Sequence, residues 1–210
     1  MGAKNSRQNS GGIAATMFDT VEMFVIAAVL LLLIFAAGMR QCQVVGPSMN
    51  NTLHDGERLI ISNLFYKPKQ GDIIVFHQTG EVLNEPVVKR VIATGGQYVK
   101  IDYAAGRVYV SDDDVFTDAE IVDESGYAYF SSDPGDVYYK VYHDIWKESL
   151  DAKKQSAVFA VPEGSLFVMG DNRNNSLDSR SGVIGFVDER RVLGKVLLRV
   201  TPFSSFGKVS

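Results

Sequence analysis

From Val44 to the end of the chain, apolar and polar positions follow the short period that is typical of β-strands. Runs rich in valine, isoleucine, phenylalanine and tyrosine alternate with glycine-containing turns. The predicted strands cover residues 58–61, 72–76, 87–93, 98–102, 107–110, 156–161, 166–169, 182–187 and 194–200. Closely spaced strands without long helical patterns between them predict a mainly β fold, with an antiparallel barrel or sandwich at its centre.

One segment departs from this pattern, because residues 23–39 form an apolar run without a charge. At a rise of 1.5 Å per residue, a helix of this length spans roughly 25 Å, which suits a short transmembrane helix. We predict one anchor over residues 18–40, after a disordered cytoplasmic tail over residues 1–17. A cleaved signal sequence is the alternative, but its apolar region is usually shorter. Lys4 and Arg7 favour a cytoplasmic N-terminus.

The strand pattern is interrupted between residues 111 and 154. This stretch opens with three consecutive aspartates, contains several tyrosines and ends in residues 143–154, which could form a short helix. We therefore predict one folded domain over residues 41–210 that carries an inserted subdomain at about 111–154. The sequence assigns no role to the insertion.

Composition and charge narrow the classes of function. The chain has 210 residues and a net charge of -4, and it contains no concentrated cluster of lysine and arginine, so no nucleic-acid partner is expected. Cys42 is the only cysteine, which rules out a disulfide within the chain. No group of residues has the spacing of metal ligands, and neither a metal nor another cofactor is expected.

Candidate chemistry begins at Ser48, a few residues after the apolar run. A turn alone would explain Gly46-Pro47-Ser48, whereas a nucleophilic serine needs a base. The three histidines stand at positions 54, 77 and 143, and none has a setting that singles it out. A serine–histidine–aspartate triad stays open at this point, because triads are recognised by their geometry and not by their order in the chain.

A second candidate base is Lys89. Strand alternation would put Val87, Lys89 and Val91 on one face. Burial among apolar side chains lowers the pKa of a lysine, and a neutral amine can act as a general base. The pattern is equally compatible with an exposed edge strand that merely carries Lys89 and Arg90.

A polar loop follows the strand that ends at Met169. Asp171, Arg173, Asp178 and Arg180 can form a compact ion-pair network there, among several asparagines and serines. Ordering so many polar side chains costs conformational entropy, which favours a functional loop. A structural turn held by salt bridges is the alternative.

Taken together, four stretches resemble the type I signal peptidases (leader peptidases) of bacteria, in the single-anchor form typical of Gram-positive organisms. The matching stretches are GPSMNNTLHDGE, GDIIVF, VVKRVIATGG and VMGDNRNNSLDSRSGVIGFV, and they cover most of residues 44–102 and 158–200. The resemblance implies a membrane-bound serine endopeptidase on the outer face of the cell membrane. Such an enzyme removes N-terminal signal peptides from secretory preproteins after small-x-small sites of the A-x-A type.

The resemblance also implies a role for each matching residue. Ser48 matches the nucleophile, Lys89 the general base, and Ser176 the serine whose hydroxyl orients the lysine amine. The residues that match ion-paired support of the site are Arg90, Asp171, Asp178 and Arg180. The oxyanion hole of the family uses the backbone N–H of the nucleophile and, in some members, a serine hydroxyl two residues earlier. Gly46 stands at that earlier position and has no such donor.

Further expectations concern partners and rival functions. Shallow pockets for alanine-sized side chains are expected near Ser48 and residues 73–76, and the lipid bilayer is the second partner. Self-cleaving repressor proteases have a similar serine–lysine core, but the predicted anchor argues against them. A catalytically silent membrane-anchored domain that binds a partner through residues 111–154 is the alternative from another class. Histidine-based relatives of the endoplasmic reticulum are disfavoured by Lys89.

Overall fold

The computed structural model describes residues 10–80, 83–103, 105–128, 150–151, 156–173 and 175–209, and it separates into two units, residues 1–39 and 40–210. The first unit consists of helix α1, Ser10–Gly38. Its window Ala15–Leu33 has a mean hydropathy of 2.0 and is long and apolar enough to cross a membrane. The side chains of this window are exposed on all sides. An apolar surface around the whole circumference is typical of a helix surrounded by lipid or by protein.

The bounds of α1 differ from those predicted for the anchor. The helix begins at Ser10, so residues 10–17 are helical and do not belong to a disordered tail. The hydroxyls of Thr16 and Thr20 donate to the carbonyls four residues earlier, which gives these polar side chains partners within the helix. At the other end the helix stops at Gly38, and the next two residues form part of the first strand. Residues 1–9 of the predicted tail lie outside the described residues.

The rest of the chain forms two antiparallel sheets. The strands are β1 Met39–Gln43, β2 Arg58–Ser62, β3 Ile73–His77, β4 Pro86–Thr94, β5 Tyr98–Asp102, β6 Arg107–Ser111, β7 Glu120–Ile121, β8 Leu150–Asp151, β9 Ser156–Ala160, β10 Ser165–Met169, β11 Val187–Asp188, β12 Val192–Thr201 and β13 Gly207–Lys208. The larger sheet has the order β1-β2-β12-β3-β4-β10-β11, with β13 paired to β12, and the smaller has the order β7-β6-β5-β9-β8. The prediction of a mainly β, antiparallel fold with one preceding apolar helix is confirmed.

Burial explains why these runs form strands. Side chains of β5 alternate between half-buried and buried positions, as expected when one face of a sheet covers the core. The first four residues of β3 are all buried, which fits an interior strand covered on both faces. Ile92 of β4 and Phe167 of β10 share one apolar cluster with Val99 and Phe159 of the smaller sheet. The two sheets therefore pack on a common core.

The predicted insertion contributes to the smaller sheet and does not form a separate body in the part of the chain that the structure describes. β7 pairs with β6, and β8 pairs with β9, while the centre of this sheet comes from β5 and its neighbours outside residues 111–154. Of the possible helix at residues 143–154, the structure describes residues 150–151, and these form a strand. Residues 129–149 and 152–155 lie outside the described residues.

One predicted strand is wrong. Residues 182–186 form a turn and a bend, in which the N–H groups of Ile184 and Gly185 both donate to the carbonyl of Ser181. Gly185 has φ +60°, a left-handed conformation that a strand does not contain. Only Val187 and its neighbour Asp188 pair with another strand, β10. The apolar residues of this stretch indicated a strand because they are buried, but Ile184 reaches the core from a turn, and Val187 alone among them reaches it from a strand.

Candidate active site

Ser48 lies in the loop between β1 and β2, and two apolar side chains fix this loop. Met49 and Leu53 are buried in the same apolar cluster, and the N–H of Leu53 donates to the carbonyl of Met49. On the other side of the serine, Gly46 has φ +82°, and its N–H donates to the carboxylate of Asp55 at 2.8 Å. The loop therefore holds a partly exposed serine on an ordered backbone.

The structure brings Lys89 to this serine. Lys89 Nζ lies 2.7 Å from Ser48 Oγ and 3.0 Å from the carbonyl oxygen of Val88, and it bonds to no other described residue. Lys89 is 3% exposed and belongs to β4, which lies between β3 and β10. The alternative of an exposed edge strand is therefore wrong, since both Lys89 and Arg90 are buried in an interior strand.

Burial also changes the ionisation of this lysine. Removal of the amine from water lowers the pKa of Lys89 from 10.5 to about 8, because the charged form loses its hydration. Of the charged neighbours, Arg180 lowers this pKa further, whereas the carboxylates of Asp178 and Asp171 raise it. An appreciable fraction of the amine is consequently neutral near pH 8, and a neutral amine can accept the proton of the serine hydroxyl.

Arg90, next to the lysine, forms a buried ion pair with Asp171. Its Nε and Nη2 each donate at 2.8 Å to the two carboxylate oxygens of Asp171, and its Nη1 donates to the carbonyl of Gly71. Thr52 adds a hydrogen bond to Asp171 at 2.5 Å. This arrangement ties β4 to the start of the polar loop after β10 and to the serine loop at the same point.

Asp178 and Arg180 form the second buried pair of the site. Arg180 donates from Nε and Nη2 to the carboxylate of Asp178 at 2.6 and 2.8 Å, and the N–H of Gly170 donates to the same carboxylate. Burial raises the pKa of Asp178 to about 6 and lowers the pKa of Arg180 to about 9. At pH 7 both groups remain ionised, so the pair supplies fixed charges close to Lys89.

Ser176 lies in the same loop, and its position differs from the expected contact with the lysine. The Ser176 hydroxyl is buried and flanks Gly170, where an added Cβ would come within 2.2 Å of Ser176 Oγ and 2.5 Å of the carbonyl oxygen of Ser48. In this structure the hydroxyl makes no hydrogen bond to Lys89 Nζ. A glycine is required at position 170, because the polar loop passes so close to the serine loop.

Donors for an oxyanion are limited. The N–H of Ser48 donates to no acceptor among the described residues, so it is available to a substrate. The N–H of Gly46 is occupied by Asp55. The expected deficiency at Gly46 therefore extends to its backbone, and the N–H of Ser48 is the candidate donor that the described residues offer.

The sequence did not predict several contacts of the site. Asn172 donates from its N–H to the carbonyl of Ser48 and from Nδ2 to the carbonyl of Pro47, both at 3.1 Å. The abundance of asparagine in the polar loop was the signal for such backbone contacts. Glu124 forms an ion pair with Arg173, and the Tyr127 ring stacks on Arg90. Nothing in the sequence pattern singled out these two residues.

The histidines do not contact the serine. His54 is exposed and lies 3.7 Å from the carboxylate of Glu57, and His77 ends strand β3. Neither donates to or accepts from Ser48 where the structure describes the chain, and His143 lies outside the described residues. No group of metal-ligating side chains occurs among the residues described.

A groove of about 520 Å³ lies beside the serine and the lysine. Residues 41–49 form one wall, residues 85–89 form the other, and Leu83 and Leu177 complete the lining. Pockets were expected near Ser48 and residues 73–76, and the groove adjoins Ser48 and β4, the strand that pairs with β3. The side chains of residues 73–76 are themselves buried and do not line it.

Comparisons with known proteins identify the family of the chain. Residues 17–201 match the family described as signal peptidase, peptidase S26. Signal peptidase I of Bacillus licheniformis is 34% identical over 200 residues, which cover 92% of this chain and 93% of the relative. Signal peptidase IB of Staphylococcus aureus is 31% identical over 194 residues, which cover 90% of this chain and 93% of the relative. A crystal structure of a signal peptidase I from Enterococcus faecalis V583 shares 30% identity at a TM-score of 0.35, covering 62% of this chain and 97% of that chain.

Ser48 and the buried Lys89 lie within hydrogen-bonding distance of each other on an antiparallel β fold. The chain belongs to the signal peptidase family, peptidase S26, and is therefore a peptidase. Within that family, the relatives from Bacillus licheniformis and Staphylococcus aureus that it resembles over most of its length are signal peptidases of type I.

Proposed function

We propose that this chain is a membrane-anchored serine endopeptidase that removes N-terminal signal peptides from secretory preproteins after small-x-small (A-x-A) sites. Ser48 is the nucleophile and Lys89 is the general base. The observation that carries the proposal is the 2.7 Å contact between Ser48 Oγ and Lys89 Nζ, made where burial lowers the pKa of the amine to about 8. Membership of the signal peptidase family supports the substrate class.

The reaction begins with a neutral Lys89. Its amine accepts the proton of Ser48 while the serine oxygen attacks the scissile carbonyl. The N–H of Ser48 stabilises the oxyanion, and one such donor contributes about 3 kcal/mol to transition-state stabilisation. The lysine then protonates the leaving amine of the mature protein, and the signal peptide remains as an ester on Ser48. A water gives a proton to Lys89 as its oxygen attacks this ester, and Lys89 transfers that proton to Ser48 Oγ as the bond to the signal peptide breaks. The proposed cycle uses neither metal nor cofactor.

The two buried ion pairs hold the serine loop, β4 and the polar loop in fixed positions relative to one another during these steps. Arg90–Asp171 and Asp178–Arg180 do not touch the groove, so they act by positioning. We retain Ser176 as the lysine-orienting residue of the substrate-bound enzyme. When Ser48 becomes acylated, Lys89 loses its hydrogen bond to the Ser48 hydroxyl, and the Ser176 hydroxyl would then take that place. The burial of the Ser176 hydroxyl beside Gly170 supports this assignment.

We propose a localisation at the cell membrane on the basis of α1. An apolar window of this length supports a single membrane anchor. Lys4 and Arg7 favour a cytoplasmic N-terminus, which would put residues 41–210 on the outer face of the cell membrane. A preprotein emerging from the membrane would then meet the peptidase on the side where its signal peptide ends.

The test uses the full-length chain, purified in detergent and incubated with a preprotein that ends its signal peptide in A-x-A. We expect cleavage after the second alanine, and loss of cleavage in both Ser48→Ala and Lys89→Ala. Ser204→Ala and Lys67→Ala replace an exposed serine and an exposed lysine and serve as matched controls that keep full activity. A preprotein with leucine in place of the last alanine should resist cleavage.

Two outcomes would contradict the proposal. Cleavage that persists in Lys89→Ala at the wild-type rate would exclude the lysine as the base. A folded wild-type chain that binds preproteins but leaves them intact would indicate a binding domain without peptidase activity.

A further inference from the structure

A short turn of the smaller sheet reaches across to the candidate active site. We refer to residues 122–128 as the clamp. Its first residue is tied to the smaller sheet, because the N–H of Val122 donates to the carbonyl of Val108 and its side chain packs on the shared core. The N–H groups of Tyr127 and Ala128 both donate to the carbonyl of Glu124, which closes the turn. The clamp is thus held by the smaller sheet, and its side chains connect that sheet to the residues described next.

Glu124 forms the first contact of the clamp. Its carboxylate pairs with Arg173, a fully buried arginine of the polar loop, and is itself largely buried. Arg173 in turn donates from Nε to the carbonyl of Gly170 at 2.9 Å, and its own carbonyl accepts from Arg180 Nη2 at 2.9 Å. Glu124 is therefore the countercharge of an arginine that fixes the backbone on both sides of Asp171.

Tyr127 forms the second contact. The guanidinium carbon of Arg90 lies 4.0 Å from the centroid of the Tyr127 ring, which is within the range of a cation–π interaction. The carbonyl of Tyr127 also accepts a hydrogen bond from Asn51 Nδ2 at 3.2 Å. One residue of the clamp therefore touches both the serine loop and the arginine that follows the lysine in β4.

We propose that the clamp is a positioning device for the serine–lysine pair, with Glu124 and Tyr127 as positioning residues that act through Arg173 and Arg90. The inference rests on the proposed peptidase function. It gives the smaller sheet a role in the reaction, because the clamp belongs to that sheet and contacts all three segments that build the site.

The clamp is absent from the lining of the groove beside Ser48, so its effect should fall on the chemical step. Displacement of reacting groups by about 1 Å can reduce a rate by about 100-fold. If the clamp fixes the relative position of the serine loop and β4, its loss lowers kcat and leaves KM unchanged. A merely structural role would lower the amount of folded enzyme and leave kcat per folded molecule unchanged.

The experiment compares Tyr127→Leu with Tyr127→Phe in the full-length protein. Phenylalanine keeps the ring over Arg90, whereas leucine removes it. We expect kcat per folded molecule to fall about tenfold in Tyr127→Leu and to stay within about twofold of wild type in Tyr127→Phe, with equal KM values, on the scale of the misplacement effect. Glu124→Gln should behave like Tyr127→Leu. Ser125→Ala is the matched control, since among the described residues the Ser125 hydroxyl bonds to Asp123 within the turn and to neither the serine loop nor β4.

Amide hydrogen exchange gives a readout that needs no activity. The N–H of Arg173 donates to the carbonyl of Asp171, and the N–H of Arg180 donates to Asp178. Both amides should exchange faster in Tyr127→Leu and Glu124→Gln than in Tyr127→Phe and Ser125→Ala. If Glu124→Gln does not fold, the two Tyr127 variants decide the question alone.

The outcomes separate the inference from the proposed function. A wild-type chain that cleaves no A-x-A preprotein refutes the function, and hydrogen exchange then decides on the clamp. An active wild type with equal kcat in Tyr127→Leu and Tyr127→Phe refutes the positioning role. Equal exchange rates in an inactive chain refute it as well.

Discussion

Replacing Lys89 by methionine should make the protein inactive and more stable. Methionine has nearly the length and volume of lysine without its charge, so it fits the same apolar site. The wild-type protein keeps an amine at this position, although burial disfavours its protonated form. At pH 7 the folded protein must accommodate that form, since the pKa of Lys89 is about 8.

The magnitude follows from the pKa. A drop from 10.5 in the unfolded chain to about 8 in the folded protein corresponds to about 3 kcal/mol at pH 7, because one pKa unit is about 1.4 kcal/mol. Lys89→Met also loses the hydrogen bonds of the amine to Ser48 and to the Val88 carbonyl, which contribute about 1 kcal/mol each. We therefore expect the free energy of unfolding to rise by about 1 kcal/mol at pH 7.

The dependence on pH identifies the cause. Between pH 8 and 10.5 the unfolded chain binds more protons at Lys89 than the folded protein does, so the stability of the wild type rises with pH in this window. Lys89→Met lacks this contribution. The stability of Lys89→Met relative to the wild type should therefore fall by about 2 kcal/mol between pH 7 and pH 9.5, so that the wild type is the more stable protein at pH 9.5.

Urea unfolding of the full-length chain in detergent, followed by near-ultraviolet circular dichroism at both pH values, measures this difference. Lys67→Met is the control, because an exposed lysine should change the free energy of unfolding by less than about 0.5 kcal/mol at either pH. The reasoning is refuted by a Lys89→Met protein whose stability relative to wild type is the same at pH 7 and at pH 9.5.

Three further predictions concern activity and stability. The value of kcat/KM should rise with pH up to about 8 and fall about tenfold for each pH unit below that value, because the proposed mechanism needs a neutral Lys89 in the free enzyme. A profile that is level from pH 6 to pH 9 would contradict a lysine base. Gly170→Ala should lower kcat at least about 100-fold in the preprotein assay, since the added Cβ would lie 2.5 Å from the carbonyl oxygen of Ser48. Gly126→Ala is the control and should keep full activity, because a Cβ at position 126 would have no atom within 4 Å. Arg90→Lys should lower the free energy of unfolding by about 3 kcal/mol in urea titrations, because Asp171 would stay buried but lose its bidentate partner. An unchanged urea midpoint would show that the Arg90–Asp171 pair does not stabilise the fold.

The strands could be predicted where the local pattern decides the structure. β2, β3 and β5 consist of β-branched and apolar residues between glycine-containing turns, and their bounds agree with the prediction to within one residue. The pattern failed at residues 182–187, where burial of Ile184 arises from a turn. Apolar composition reports burial, and only backbone conformation separates a buried turn from a strand.

The candidate site was predictable to a different degree for each of its parts. Alternation put Lys89 between two valines, but whether β4 is an edge or an interior strand depends on its pairing with β3 and β10. That pairing is a tertiary property, and it decides whether the lysine is buried. The contacts of Glu124 and Tyr127 depend on how the smaller sheet folds back on the larger one, and no local pattern carries that information.

The hydrogen bond from Asn172 N–H to the carbonyl of Ser48 has a consequence for biosynthesis. It joins two residues that are far apart in the chain, so during translation the serine loop lacks this partner until the segment that carries Asn172 has left the ribosome. We therefore expect the proposed serine–lysine pair to reach its final geometry only after that segment has folded against the serine loop.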